Sequence, residues 1–460
     1  MSTRQDEGAS PTISSRDDLI GWIVAGEKPA DKWLIGTEHE KFVFKRDGLA
    51  PVPYAGKTGI RALMEGLIER FGWEPMEEGP HIIALKRPKG AGREAISLEP
   101  GGQFELSGAP LSTLHEVAEE TATHLEQVKL VGEQLGLGFL GAGFSPNWTL
   151  EQTPQMPKQR YAVMTRYMPT VGKGGLEMMY RTSTIQVNLD FKDEADMVKK
   201  FRVSLALQPI AAALFAASPF KEGKPNGFKS LRSEVWRDTD RQRTGMLPFV
   251  FESGMSYDRY VEYALGVPMY FVYRDGQYID VAGASFTEFM KGRLPQLPGL
   301  YPTVDDWSDH LTTLFPEVRL KRILEMRGAD SGNEAKITAL SAFWVGLLYD
   351  QSALDAAWDM VKGWSTDERQ SLRDETPQLA LDARFRRLKV LDLARETLAI
   401  SAHGLKARKR LDAKGQDEGR HIECLAEIAR TGRTTADDML AHFHGDWQGR
   451  TDPVFSTYAY

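Results

Sequence analysis

The chain has 460 residues, 57 Lys and Arg against 64 Asp and Glu, a formal net charge of -7, 42% apolar residues and 10 Trp. This is globular composition with aromatic residues enough for a large core; it excludes a mainly disordered chain, and the weak acidity excludes a dedicated nucleic-acid or anionic-membrane binder, which would need clustered positive charge. The single cysteine, Cys424, excludes intrachain disulfides, Cys-based zinc clusters and iron–sulfur sites, and suits a reducing compartment.

In chain order, residues 1–20 are polar, carry no apolar signal core and read as a disordered tail. Residues 21–460 read as one catalytic unit, with a sheet-rich core over 33–335 and a helical layer over 336–460. Trp33–Phe44 predicts a strand, and Thr58–Phe71 a helix. Ala95–Ser107 predicts two extended pieces joined at Pro100-Gly101-Gly102. Thr113–Leu135 predicts a helix capped by Ser112. Gly172–Gly175 (GKGG) is either a loop over a site or a plain turn. Arg181–Phe191 predicts a strand, with Ile185, Val187 and Leu189 on one face and Thr184, Gln186 and Asn188 on the other. Val203–Ala217 is too short and too interrupted, by Gln208 and Pro209, to cross a membrane, and predicts a buried, Pro-kinked helix. Met269–Arg274 and Tyr278–Val281 predict a hairpin across Asp275-Gly276. Beyond residue 336, the stretches 337–349, 353–375, 385–413 and 417–445 carry helical periodicity. Strands without a steady βαβ rhythm point to an α+β fold with a mainly antiparallel sheet.

The chain has no GxGxxG, GxSxG, HExxH or CxxC. Its unusual feature is acids embedded in strand patterns. Glu38 and Glu40 fall on one strand face, about 6.8 Å apart, in line with Leu34, Phe42 and Phe44. Either this is an edge strand whose acids face water, or the acids face an interior that must hold cations. Glu99 and Glu105 flank the Pro100–Gly102 turn, Glu325 and Arg327 share a face of Leu324–Gly328, and Gln186 and Asn188 add a polar strand face. Together these describe a sheet with an acidic, polar interior face. Carboxylates without His or Cys suit Mg²⁺, which usually shares its oxygen ligands with substrate phosphates. The many Arg, namely Arg160, Arg166, Arg181, Arg232, Arg237, Arg241, Arg243, Arg319, Arg322 and Arg327, fit a nucleoside-triphosphate reaction, with surface ion pairs the plainer role for most of them.

The segments GTEHEKF (36–42), LEPGGQFELSGAP (98–110), MMYRTSTIQVNLDF (178–191), DTDRQRTGMLPFVF (238–251), VPMYFVYR (267–274), LEMRGAD (324–330) and ALSAFWVGLLYD (339–350) resemble the plant-type glutamate–cysteine ligases that also occur in proteobacteria. The resemblance runs from Trp33 to the end. It implies a curved, mainly antiparallel sheet funnel backed by helices, similar to the catalytic domain of glutamine synthetase. It also implies ATP- and Mg²⁺-dependent joining of the glutamate γ-carboxylate to cysteine through a γ-glutamyl phosphate.

By the same resemblance, Glu38, Glu40, Glu99, Glu105 and Glu325 match the metal acids, and Gln186 stands where a distant branch uses a His ligand. The resemblance further implies that Arg327 contacts the transferring phosphate and that Arg243 holds the glutamate α-carboxylate, and Tyr270 is expected with Arg243 to line an amino-acid pocket. The partners implied are L-glutamate, L-cysteine and ATP, in a monomer or weak homodimer. Plant members are regulated by disulfides, which a chain with Cys424 alone cannot form within itself. With no transit-peptide pattern, the expectation is a bacterial, cytoplasmic member. A ligase joining glutamate to another amine, or an inactive binding scaffold, are the competing readings; five acids gathered in one interior argue against the scaffold.

Overall fold

A computed structural model describes residues 10–460. Its centre is β1 (Ile35–Lys45), an eleven-residue strand buried along nearly its whole length. Around it stand β2 (Glu74–Glu78), β3 (His81–Lys86), β4 (Ala95–Leu98), β5 (Phe104–Ser107), β6 (Leu137–Leu140), β7 (Thr184–Leu189), β8 (Val318–Leu320) and β9 (Leu324–Asp330). The sheet runs β8-β9-β7-β1-β5-β4-β3-β2, and every pairing in it is antiparallel. The amino-terminal half of β1 pairs with β5 and β7, whereas its last four residues pair with β6. This change of partner lets the sheet curve. The expected α+β class, with a mainly antiparallel sheet and a helical carboxy-terminal layer, is what the chain adopts.

Local chemistry sets the boundaries. The helix Leu114–Leu135 is capped by Thr113, not Ser112, because Thr113 and Glu116 close a reciprocal capping box. The strand expected from Arg181 begins only at Thr184, since Gly175–Arg181 is a helix whose final guanidinium is buried against Glu177 and Glu222. The hairpin Phe271–Arg274/Gln277–Asp280 turns at Asp275-Gly276, as expected, with positive φ at both. GKGG is a packed turn. A Cβ on Gly172 would lie 2.3 Å from the Thr239 carbonyl, and one on Gly174 2.4 Å from that of Val235.

Of the expected tail 1–20, residues 1–9 lie outside the described residues. The rest is structured. Thr12 bridges Thr303, and Arg16–Val24 is a helix with a Ser15 capping box, burying Leu19 and Ile23. The carboxy-terminal helices are shorter and more numerous than periodicity alone suggests. The 353–375 stretch breaks at residues 363–365, where Ser365 caps a new helix, Thr366–Leu379. The 385–413 helix starts only at Val390, after a small hairpin with Arg386 at φ 55°. Gly432, at φ 70°, ends Glu423–Thr431 before Thr434 caps Thr435–His444.

The helix Glu334–Leu348 is the axle between layers, buried from Lys336 to Leu348. The Ser341 hydroxyl lies 2.7 Å from that of Thr37 on β1. On its other side the helix meets Val390–Ala407 at backbone contact: a Cβ on Gly404 would lie 1.9 Å from the Gly346 carbonyl oxygen. Among the described residues no helix is long and apolar enough to cross a membrane. Replacing Gly404 with Val must therefore push the two helices apart. The expected outcome is a loss of about 2–3 kcal/mol or more in denaturant unfolding, against a near-neutral change for Gly363→Ala, where a Cβ meets nothing within 4 Å.

Candidate active site

Period-two alternation divides β1 between two environments. His39 and Lys41 point away from the funnel; the Lys41 ammonium donates to the Phe104 carbonyl at 3.0 Å and lies 2.9 Å from His124 Nε2. Glu38 and Glu40 line the funnel. Register then concentrates acid there: Glu40 lies directly across from Glu105 on β5, and Glu38 across from Gln186 on β7. The Pro100–Gly102 turn adds Glu99. That turn needs its glycines, because Gly102 has φ 83° and a Cβ on Gly101 would sit 2.2 Å from the Tyr180 carbonyl. The interior reading of Glu38 and Glu40 is the one the fold adopts.

Glu38, Glu40, Glu99 and Glu105 thus line one cavity with Gln186, Thr182 and Thr184. Arg160, Arg232, Arg319 and Arg327 line the same cavity, and Tyr161, Met164, Met178, Met179, Trp236 and Phe315 give it an apolar side. Local donors hold the acids in place. The Thr184 N–H donates to Glu40 at 3.1 Å, the Asn188 amide to Glu38 at 2.9 Å, and the Ser107 and Ser97 hydroxyls to Glu105 at 2.7 and 3.2 Å. The Tyr161 hydroxyl donates to Glu99 at 3.3 Å.

These bonds do not offset the crowding. Burial pushes the Glu40 pKa well above the usual carboxylate range, and the charges of Glu99 and Glu105 push it further. Burial, then Glu99 and Glu38, push Glu105 up to about 7. Such a cluster keeps protons or takes cations. Its donor set is all oxygen, which fits a hard divalent ion. Among the described residues no three acidic, His or Cys side chains converge to hold an ion unaided.

Three sequence-predicted residues fall elsewhere. Glu325 does not line the cavity. It is wholly buried in a cage of cations, with Arg319 bidentate at 2.7 and 3.0 Å, Lys321 at 2.9 Å and Arg327 in contact, and these hold its pKa well below the usual range despite burial. Arg243 is also wholly buried and fully engaged: Nε to Asp240 at 2.6 Å, Nη1 to the Thr313 carbonyl at 3.0 Å, and Nη2 to the Pro268 carbonyl at 2.8 Å. Tyr270 stacks under that guanidinium at 3.9 Å. Neither lines the cavity; together they pin the 240–245 turn to the segment entering the Phe271 hairpin. Gln186 does line it, and its amide oxygen accepts from Arg327 at 2.5 Å.

In the sequence Arg160, Arg232 and Arg319 are three arginines among many. Arg319 had a legible signal, standing between Val318 and Leu320 across a tight hairpin from Glu325. Arg160, Tyr161 and Met164 share a face of the helix Gln159–Tyr167, a helix not predicted at all. Arg232 had no local signal.

The profile of glutamate-cysteine ligase family 2 (GCS2) matches residues 34–457. The chloroplastic glutamate–cysteine ligase B of Oryza sativa subsp. japonica is 53% identical over 446 residues, covering 97% of this chain and 87% of that protein. The chloroplastic enzyme of Arabidopsis thaliana is 52% identical over the same 97% of this chain. The chain belongs to the glutamate–cysteine ligase family. Glutamate–cysteine ligases form γ-glutamylcysteine from glutamate and cysteine with ATP, the first step of glutathione synthesis, and this chain is such a ligase. A glutamate–cysteine ligase from Francisella tularensis, solved in complex with AMP, shares the fold at 12% identity and a TM-score of 0.50, over 92% of this chain and 91% of that one. The cytoplasmic expectation is corrected by these comparisons. The similar glutamate–cysteine ligases of rice, tobacco and Arabidopsis are chloroplastic, and neither a lone cysteine nor a mild net charge encodes a compartment.

Two outcomes follow for this ligase. Between the ordinary carboxylate value of 4.5 and about 7, folded Glu105 keeps a proton that the unfolded chain has released. The metal-free protein should therefore lose stability as pH rises through that window. Thermal melting in chelator from pH 5 to 8 should show this fall, and Glu105→Gln should flatten it. Arg243→Lys should lower stability by on the order of 2–4 kcal/mol, because a buried carboxylate and two carbonyls lose their fork, while the KM for glutamate stays within about twofold in steady-state assays.

Proposed function

We propose that the acid-lined cavity performs the ligation through a γ-glutamyl phosphate, with Glu38, Glu40, Glu99 and Glu105 holding Mg²⁺ against the phosphates of ATP. The supporting observation is the convergence of four carboxylates and four guanidiniums on one buried cavity. Like charges gathered away from water persist only where a reaction needs cations and anions side by side. Bound Mg²⁺ would supply charge neutralisation and a template for in-line transfer.

The chain's own groups account for the rest. A γ-carboxylate oxygen of glutamate forms a bond to the γ-phosphorus while the bond to the ADP oxygen breaks. The cysteine amine then bonds to the acyl carbon, inorganic phosphate leaves, and the amine gives up a proton. Arg327 and Arg319 reach the cavity from β8 and β9, aligned by their shared carboxylate, Glu325. In this reading Glu325 orients the two guanidiniums that face the transferring phosphoryl oxygens, and Gln186 fixes Arg327 from the opposite strand. Arg232 takes over the α-carboxylate role expected of Arg243. It lines the cavity, and among the described residues its buried Nε has no hydrogen-bond partner, so the guanidinium has capacity for an anionic handle. Met164, Met178, Met179 and Trp236 exclude water from the acyl phosphate.

The route is tested by isotope. Glutamate carrying ¹⁸O in its γ-carboxylate should deliver one ¹⁸O to each inorganic phosphate released in the presence of cysteine. Phosphate free of label would overturn the acyl-phosphate route. Glu40→Gln should reduce turnover by about 100-fold or more at ordinary Mg²⁺ while leaving the circular dichroism spectrum unchanged. Near-normal turnover would remove Glu40 from the metal set.

A further inference from the structure

Arg232 sits on the short helix Leu231–Val235, an element with too few turns to fix a side chain by itself. Its placement comes from one strand. The Arg232 Nη2 donates to the Arg327 carbonyl at 2.9 Å, within the stretch where β9 shifts register against β7. Three residues on, the Asp330 carboxylate is wholly buried and gathers three donors: the Ala217 N–H at 2.9 Å, the Ser218 hydroxyl at 2.6 Å and the Ser230 hydroxyl at 2.7 Å.

Those two hydroxyls are the other half of the connection. Ser230 Oγ accepts from the Ser233 N–H at 3.2 Å and caps the helix, and Ser218 Oγ accepts from the Arg232 N–H at 3.3 Å. Each hydroxyl donates to Asp330 and accepts from the helix, so the carboxylate fixes the direction of both protons. Asp330 itself is tightly seated, since a Cβ on Gly143 would fall 2.3 Å from its Cγ. Burial raises the Asp330 pKa, and the Arg232 charge and the three donors oppose that rise. Asp330 does not line the cavity.

We infer that Asp330 is a positioning residue for glutamate recognition: through Ser218 and Ser230 it orients the cap of the 231–235 helix, and so holds the Arg232 guanidinium in register with the funnel. The inference rests on Arg232 being the α-carboxylate contact proposed above. An anion seven-tenths of the way along the chain thereby sets the affinity for an amino acid it never touches. Asparagine in its place keeps the volume but offers one acceptor and an N–H₂ group toward two hydroxyl donors and an N–H, so at least one connection must reverse or break.

The test is a double-mutant cycle on the full-length protein, with KM for glutamate, KM for ATP and melting temperature measured for the parent, Asp330→Asn, Arg232→Lys and the double variant. Ser230→Ala serves as a milder variant that removes one connection. The expected result is a rise of about tenfold in the glutamate KM for Asp330→Asn, an unchanged ATP KM, and no further rise when Asp330→Asn is added to Arg232→Lys. Ser230→Ala should move the glutamate KM in the same direction by a smaller factor. If Arg232→Lys raises the glutamate KM but Asp330→Asn and Ser230→Ala lower only the melting temperature, or if the effects multiply in the double variant, the positioning role is overturned while the Arg232 assignment stands. If Arg232→Lys leaves the glutamate KM unchanged, the assignment of Arg232 falls, and the role of Asp330 with it.

Discussion

Everything in the funnel depends on one register: Glu40 on β1 opposite Glu105 on β5. In an antiparallel sheet a slip of one residue reverses every side chain. A slip of β1 would turn Glu38 and Glu40 into the packed side occupied by His39 and Lys41, and bring those two into the site. The long apolar anchors on either side prevent it. Phe42 and Phe44 lock the end of β1 into a cluster with Leu140, Trp148 and Phe455, and Ile35 joins the main core at its beginning. The strand is thus held at both ends by hydrophobic burial so that its middle can carry charge.

The cationic half of the site is arranged differently. Among the described residues no cation is ion-paired to the four cavity acids, whereas Glu325 is saturated by three. The two kinds of carboxylate separate two tasks. Acids whose charge is left uncompensated attract exchangeable ions. An acid whose charge is over-compensated leaves its partners with surplus positive charge, aimed at a substrate anion. The same residue type in one sheet serves opposite purposes because Arg319 on β8 and Lys321 just after it stand next to Glu325, while β4 and β5 place Ser97 and Ser107 next to Glu105.

The sequence discloses this architecture unevenly. Alternation in a strand is a local signal, so β1, the β4–β5 pair, β7 and the Phe271 hairpin are readable within a few residues, and so are the acids they carry. Arg232 and Arg243 show the limit. Both are Arg in a turn-rich stretch, eleven residues apart; one enters the cavity and the other is consumed by Asp240 and two carbonyls. What separates them is the position of Thr313, Pro268 and β9, each distant in sequence. The helix breaks at Ser365 and Gly432 were written in local capping chemistry, but apolar periodicity continues across them and masks them. Glu325 was legible as an embedded acid. Its saturation needed the β8–β9 pairing to be known.

The order in which the chain supplies these parts has a further consequence. The four acids all lie between residues 38 and 105; β4 pairs with β5 across a tight turn, and β1 with β5 across 63 to 69 residues. The guanidiniums that face them lie between 160 and 327, and β7 joins β1 across 146 to 154 residues, a long-range closure that costs conformational entropy. A chain emerging in synthesis therefore presents all four acids before any of the four guanidiniums that share their cavity. The funnel's electrostatics are complete only when residues 160 to 327 close over residues 38 to 105, so its two oppositely charged halves are joined by tertiary structure and not by neighbours in the chain.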